Sequence, residues 1–386
     1  MPNELPCRAV ADDDIHAAQK AIENANILDS EDAIEKAVSD CRASHTIGLD
    51  TEFVRERTFH ARPGLVQVSE GHGVWLLDAV AIPESKALGT LLADSDIVKV
   101  LHSVGEDLEI LHAVGGCWPE PLFDTQVAAA LLGLPLQLRY EHLVKEALDV
   151  DLVGGKARND WCRRPLPEEW LHYAAEDVIW LPRLKERLEE LLEDAGRLEW
   201  HREDCARIVD AARAGDTTPP LSRVKGAGRM ETTDLARLDA LAQWREAVAR
   251  QRDLPRRFVI GDDTLIELAR AAGQDRLGEA IGRLPGGQRK RFGTTIETML
   301  NEVRPEDFER PDWLNPLTPD QREQLREAQK TVRTIADELE IEPAVIASKK
   351  ELTRLIRGEH PEWLDGWRGR ILDGRLDGVS VNISAS

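Results

Sequence analysis

The chain has 386 residues, 42 % of them hydrophobic and 31 % charged, which exceeds one ordinary core and implies two or three soluble domains. Its net charge of −21 opposes long-range attraction to any polyanion, and no stretch approaches the ~18 apolar residues of a bilayer span. Five dispersed cysteines (Cys7, Cys41, Cys117, Cys162, Cys205) without a C-x-x-C pair argue against a zinc site or a disulfide framework. Together with an acidic N-terminus unlike a secretory signal, they fit a reducing cytoplasm.

Residues 1–26 carry no strong pattern and read as an extension with one short helix at most. A helical segment from Asp29 leads to the strand pattern His45-Thr46-Ile47-Gly48-Leu49-Asp50. Short apolar runs follow at Leu65–Val68, Val74–Leu77 and Ile97–Leu101, each bounded by Gly, Pro or charge, as strands of a buried sheet are. Helical patterns cover about 84–93, 104–114, 125–133, 139–148 and 167–193. Strands first and then interleaved helices indicate an α/β domain over 27–210. The run Ala214-Gly215-Asp216-Thr217-Thr218-Pro219-Pro220 marks a linker, set at 211–230. Beyond it everything reads as helix. Leu235, Leu238, Leu241, Trp244 and Val248 form one helical face, and Pro305, Pro311, Pro316 and Pro319 punctuate a break. Two small helical domains are expected, at 231–313 and 314–386. The acidity lies in front: residues 1–215 hold 22 Lys+Arg against 41 Asp+Glu, a net of −19, and residues 216–386 hold 28 against 30, a net of −2.

Five residues stand out by local context. Asp50 and Glu52 lie at i and i+2 at a strand end, so both carboxylates share one face and Thr51 points away. Tyr173 and Asp177 lie at i and i+4 on a helix and share a face too. Asp107 lies in the first turns of a helix after the strand at Val98-Lys99-Val100-Leu101. Hard cations such as Mg²⁺ and Mn²⁺ take such oxygen ligands. Two of them can stabilise the attacking and leaving oxygens of a phosphodiester displacement. They also acidify the attacking water, so a tyrosine there orients water rather than taking its proton. Each element alone has a plain structural reading: a solvated strand edge, a surface pair, an acidic helix start. Their joint order carries the case.

The blocks around them are Gly48-Leu49-Asp50-Thr51-Glu52-Phe53, Leu101-His102-Ser103 with Glu106-Asp107-Leu108, and Pro121-Leu122-Phe123-Asp124-Thr125-Gln126. To these add Asn159-Asp160-Trp161 with Arg164-Pro165-Leu166, and Tyr173-Ala174-Ala175-Glu176-Asp177-Val178. In this order they resemble the ribonuclease D family of the DEDDy exonuclease superfamily. Leu241, Trp244, Arg245, Arg252, Pro255, Phe258 and Leu265 resemble the helical HRDC module, and the stretch from about 320 looks like a second, divergent copy. The resemblance implies an RNase H-like α/β domain, a mixed sheet flanked by helices, followed by two all-α HRDC-type domains. It also implies 3′-5′ exoribonuclease action that releases nucleoside 5′-monophosphates with two Mg²⁺ or Mn²⁺ ions. Asp50, Glu52 and Asp177 would hold one ion, Asp50 and Asp107 the other, and Tyr173 would position the nucleophilic water. The expected partners are single-stranded 3′ ends of structured RNA, transfer RNA precursors among them. Phe59-His60-Ala61-Arg62-Pro63 departs from the aromatic pair that the family places before Pro.

Other candidates stay open between two readings. His102 contacts a phosphate or is hydrogen-bonded at a strand end. Asp124 supports Thr125 or caps a helix. Trp161 with Arg163 and Arg164 clamps RNA or covers the core. Arg250, Arg252, Arg256 and Arg257, with Arg289, Lys290 and Arg291, recruit RNA or are solvated loop charge. No G-x-x-x-x-G-K loop occurs, so no nucleotide fuel is expected. Two rival readings are a DNA-directed exonuclease of the same superfamily and a non-catalytic RNA-binding scaffold.

Overall fold

The computed structural model describes residues 5–152 and 159–376, so the outermost parts of the expected N-terminal extension and last helical domain lie outside the described residues. Their contacts divide into two compact units. One comprises the chain up to Val54, Arg62–Gly215 and the part from Pro319 on; the other comprises Arg55–Ala61 and Asp216–Thr318.

The first unit is built on six strands: β1 (Asn26–Leu28), β2 (Thr46–Val54), β3 (Arg62–Ser69), β4 (Val74–Asp78), β5 (Val98–Leu101) and β6 (Leu122–Asp124). Their order across the sheet is β1-β4-β3-β2-β5-β6. The β2-β3-β4 meander is antiparallel, while β1 pairs with β4, β5 with β2 and β6 with β5 in parallel, so the sheet is mixed. Among the described residues up to Gly215, nine helices accompany it: α1 (Asp12–Glu23), α2 (Glu31–Cys41), α3 (Lys86–Leu92), α4 (Asp107–Gly115), α5 (Thr125–Leu131), α6 (Tyr140–Leu148), α7 (Glu168–Ile179), α8 (Leu181–Asp194) and α9 (Leu198–Ala214).

Strand alternation sorts the two faces. Val68, Trp75 and Leu77 meet Ile34, Val38 and Cys41 of α2 and Leu88 and Leu91 of α3. The opposite face of β2 meets α7 and α8. There Gly48 is required by close approach, since a Cβ would come to 2.6 Å from the Val178 carbonyl oxygen and 2.7 Å from Leu181 Cβ. The sequence reading of one helix over 167–193 is corrected to two. Pro182 sits in the first turn of α8 and has no N–H to offer that same carbonyl four residues back, so α7 ends at Ile179. Within α8, Leu181, Leu184, Leu188 and Leu192 recur every three or four residues and are all buried. Each contributes roughly 2 kcal/mol of apolar burial.

The sheet has two strands that sequence periodicity does not announce. Asn26–Leu28 adds β1 to one edge, across the boundary expected between extension and α/β domain at 26/27, and Leu122–Asp124 forms β6 at the other edge. Both have three residues, too few for a period to show.

Three unit-two strengths are local. Its helices are α10 (Thr232–Gln251), α11 (Arg256–Val259), α12 (Asp262–Ala272), α13 (Leu277–Arg283) and α14 (Gly286–Glu302). Leu235, Leu238, Leu241, Leu265, Leu268 and Ile296 centre its core. Arg245 is buried there, held by the Ile260 carbonyl and, at 2.6 Å, by Asp262. Asp253, in a left-handed turn at φ 49°, accepts the backbone N–H groups of Phe59 and His60, each at 2.9 Å. The Phe59 ring is buried between the Arg250 and Arg256 guanidiniums, at 5.1 and 4.8 Å. The segment after the first carboxylate strand that departs from the family pattern thus serves as an anchor in this unit.

The last helices, α15 (Pro319–Leu339), α16 (Pro343–Ile346), α17 (Lys349–Ile356) and α18 (Trp367–Leu372), belong to the first unit. Trp367 of α18 stacks on Trp200 of α9 at 4.4 Å, with planes 4° apart. Arg368 forks onto Asp204, and Arg197 donates to the Leu339 carbonyl at 2.6 Å. None of the helices among the described residues is long and apolar enough to cross a membrane.

Candidate active site

Asp50 and Glu52 project from β2 toward α7, which carries Asp177 one helical turn beyond Tyr173. One oxygen each of Asp50, Glu52 and Asp177 lies within 4.8 Å of the others. The two same-face pairs read from spacing are therefore brought together by one contact, the approach of α7 to β2 at Gly48.

Asp107 reaches the site from the other face. It is the first residue of α4, and its Oδ1 accepts the Thr51 hydroxyl at 2.5 Å. Thr51, which the sequence reading set aside as pointing away, thus holds one of the five candidate residues. The turn before Asp107 is fixed as well. Asp124 caps α5 through the N–H groups of Gln126 and Val127, and the same carboxylate accepts those of Ser103 and Val104 at 3.1 and 2.9 Å. Ser103 holds φ at 61° in that turn.

Collecting these carboxylates has an electrostatic consequence. Burial first, then the charges of Asp107, Asp177 and Glu52, raise Asp50 well above the usual carboxylate range. Glu52 is pushed up to about 9 by burial and by Asp177 and Asp107. Burial pushes Asp177 up to about 7 against the hydrogen bond from Tyr173. Burial also raises Asp107, opposed by Thr51 and the N–H groups of Gly105 and Asp107. A set of oxygen donors that repel one another at neutral pH suits a hard divalent cation, whose charge relieves the repulsion.

Tyr173 donates its hydroxyl to Asp177, and burial raises its phenol above the ordinary value. The chain has two tyrosines, and the second also faces the cluster. The Tyr140 hydroxyl is buried without a side-chain partner, and burial, Asp177 and Asp50 all raise it. Its scarcity in the sequence was the one signal that could have drawn attention to it.

The other expected contacts fall differently. His102 has both ring nitrogens engaged, Nδ1 with the Thr125 hydroxyl at 2.8 Å and Nε2 with the Leu138 carbonyl at 3.0 Å, so neither is left for a phosphate. Trp161 is 0 % exposed and packs against Trp170 and Tyr173, with centroids 5.3 and 6.3 Å away. It backs Tyr173 and offers no stacking face to RNA. Arg164 grips Asp78 with two nitrogens and the carbonyls of Trp161, Arg163 and Gly64 at 2.8 Å each. It is a bracket holding this loop to β3 and β4. Of the two readings left open for Trp161 with Arg163 and Arg164, the burial of Trp161 and the Asp78 pairing of Arg164 favour the one in which they cover the core.

In the second unit, Arg256 is committed to Glu246 and to the Phe59 ring. Arg252 and Arg257 are exposed and ion-pair with no carboxylate among the described residues. Arg252 lies 5.7 Å from the Phe292 ring and Arg257 5.4 Å from that of Phe258, which is 47 % exposed. Arg291 approaches Phe292 at 5.8 Å.

With this geometry in view, known proteins can be compared. The 3′-5′ exonuclease family matches residues 25–193, and the HRDC domain family matches residues 234–296. Ribonuclease D of Pseudomonas paraeruginosa is 36 % identical over 342 residues, covering 85 % of this chain and 91 % of that protein. Ribonuclease D of Escherichia coli is 31 % identical over 364 residues, 90 % of this chain and 96 % of its own. The crystal structure of Escherichia coli RNase D, described as an exoribonuclease involved in structured RNA processing, superposes with a TM-score of 0.82. It is 29 % identical in sequence and covers 92 % of this chain and 98 % of its own.

Proposed function

Since the chain belongs to the ribonuclease D family of 3′-5′ exoribonucleases, we propose that it trims structured RNA from the 3′ end by two-metal-ion hydrolysis at Asp50, Glu52, Asp107 and Asp177. The products are nucleoside 5′-monophosphates, and the substrates are 3′ extensions of transfer RNA precursors and other stable RNAs in the cytoplasm. The observation that carries this reading is the convergence of Asp50, Glu52 and Asp177 within 4.8 Å.

Asp50, Glu52 and Asp177 would hold one cation, and Asp50 with Asp107 would hold the second, with Mg²⁺ or Mn²⁺ as the ions. Bound there, such ions would supply charge for the attacking and leaving oxygens of the scissile phosphodiester. Tyr173, tied to Asp177 and backed by Trp161, orients the attacking water. Thr51 and the Asp124-clamped turn keep Asp107 facing Asp50. Cationic and aromatic groups of the HRDC module (Arg252, Arg257, Phe258, Arg291) neutralise backbone phosphates and stack on bases. We take 231–313 as that module and 314–386 as a second, divergent copy, with 27–210 as the exonuclease domain and 211–230 as linker.

The test is RNA labelled uniformly along its length, with a free or a blocked 3′ end, incubated with Mg²⁺, Mn²⁺ or chelator and its products sized, beside matched DNA. Mononucleotides from free-ended RNA, only with metal, are expected. Cutting of blocked RNA, oligomeric products or a preference for DNA would contradict the reading.

A further inference from the structure

Gln67 lies on β3 directly opposite Asp50 of β2. Residues opposite one another in an antiparallel pair put their side chains on one face, with Cβ atoms about 5 Å apart. Gln67 therefore shares the face of the carboxylate cluster, beneath α7. Of its strand neighbours there, Leu65, two residues back, and Leu76, opposite it on β4, are fully buried and apolar, and Ser69, two residues on, has its hydroxyl engaged by Gly73 and Gly71.

Gln67 is itself 0 % exposed, and neither its Oε1 nor its Nε2 has a hydrogen-bond partner. An idle buried amide costs about 1–3 kcal/mol, and leucine would fill the same space without that cost. The amide can donate two protons and accept two. Among the groups facing it on the paired strand, the Asp50 carboxylate accepts protons. A change of side-chain rotamer is enough to carry Nε2 across that spacing.

Resting on the metal-dependent reading above, we propose that Gln67 is a positioning residue whose amide N–H donates to the Asp50 carboxylate and fixes it in the orientation that both cations share. Asp50 is the one ligand assigned to both ions, so its orientation governs both sites. An outer-shell donor of this kind changes metal affinity or activity by about 10–100-fold when removed.

The experiment compares parent protein with Gln67→Leu and Gln67→Met, which keep the volume and remove the amide. Mn²⁺ affinity is read by calorimetry, the metal-free Tm by thermal unfolding, and kcat and KM separately on RNA. The expected result is Mn²⁺ affinity and kcat both lowered about tenfold, KM for RNA unchanged, and a metal-free Tm equal to or above the parent's. A purely structural Gln67 would lower Tm and leave Mn²⁺ affinity intact, which overturns the proposal. Two variants that bind Mn²⁺ and turn over within about twofold of parent overturn it as well. Parent protein that binds no Mn²⁺ overturns the metal reading itself, and is seen before any variant is made.

Discussion

Thr51 and Asp107, 56 residues apart, are joined by a 2.5 Å hydrogen bond that ties the start of α4 to the strand bearing Asp50 and Glu52. The bond passes from the face of β2 opposite the cluster, so one strand positions three carboxylates: two through its own side chains and a third through Thr51. Thr51→Val keeps the shape and removes the donor. We expect kcat to fall about tenfold, as for other outer-shell partners of metal ligands, with KM for RNA unchanged. Thr51→Ser, which restores the hydroxyl, recovers most of the loss. Steady-state kinetics on a short RNA checks both, and a Thr51→Val enzyme with parental kcat would remove Thr51 from the site.

A second prediction concerns stability and pH. Glu52 and Asp177 have folded-state values raised to about 9 and about 7, from 4.5 and 3.8. A carboxyl whose value is raised on folding favours the fold while protonated. Its contribution is complete below the unfolded value and is lost as pH rises through the folded one. The metal-free protein therefore loses stability between about pH 4 and pH 9, while cation binding, which needs the carboxylates ionised, strengthens over the same range. Thermal unfolding with chelator and with Mn²⁺ at pH 5, 7 and 9 should show the gap widening with pH. Glu52→Gln should raise the metal-free Tm at pH 8 and abolish the Mn²⁺-dependent increase. A gap that is constant or narrows would contradict the assignment of these groups to a cation.

Arg164 is expected to matter for folding and little for RNA. Removing it leaves the largely buried Asp78 carboxylate with only the N–H groups of Val80 and Ala81 and takes a donor from three carbonyls. Arg164→Ala should lose about 3 kcal/mol in urea unfolding. Arg164→Lys should recover only part, because an ammonium cannot replace a planar fork with this many acceptors. In Arg164→Lys the KM for RNA should match the parent; a raised KM with unchanged stability would restore the RNA-clamp reading.

What the sequence made legible follows from the range of each signal. Asp50 with Glu52 and Tyr173 with Asp177 were readable because periods of two and about 3.6 place side chains locally. The strands at 65–68, 74–77 and 97–101 showed as apolar runs, and the family blocks supplied their order. The three-residue strands β1 and β6 did not, since pairing with β4 and β5 creates them. Gln67 and Thr51 were invisible for the same reason: one depends on strand register and the other on a contact between distant segments. Trp161 beside Arg163 and Arg164 imitates a nucleic-acid clamp in composition. Only burial and the Asp78 pairing reveal a core residue and a bracket. His102 is similar, its two nitrogens consumed by residues 23 and 36 positions away.

The last prediction addresses how a chain of net charge −21 binds a polyanion. Repulsion is concentrated in residues 1–215, at −19, so recruitment falls to cations of the second unit that are free of carboxylates. Arg252 and Arg257 meet that condition, and Phe258 adds an exposed ring beside Arg257. Arg256 does not, being paired with Glu246. Each phosphate contact to a single strand contributes about 0.7 to the slope of log affinity against log salt. Arg252→Ala and Arg257→Ala should each flatten that slope by about 0.7 and raise KM, leaving kcat on a saturating short RNA unchanged. Phe258→Ala should weaken binding by about 1–3 kcal/mol without changing the slope, because stacking releases no counterions. Arg256→Ala should instead act through stability, since it leaves Glu246 with only the more distant Arg250, 3.6 Å away. Fluorescence anisotropy of labelled RNA over a salt series separates the three behaviours. Unchanged slopes in both Arg252→Ala and Arg257→Ala would move RNA recruitment away from this surface.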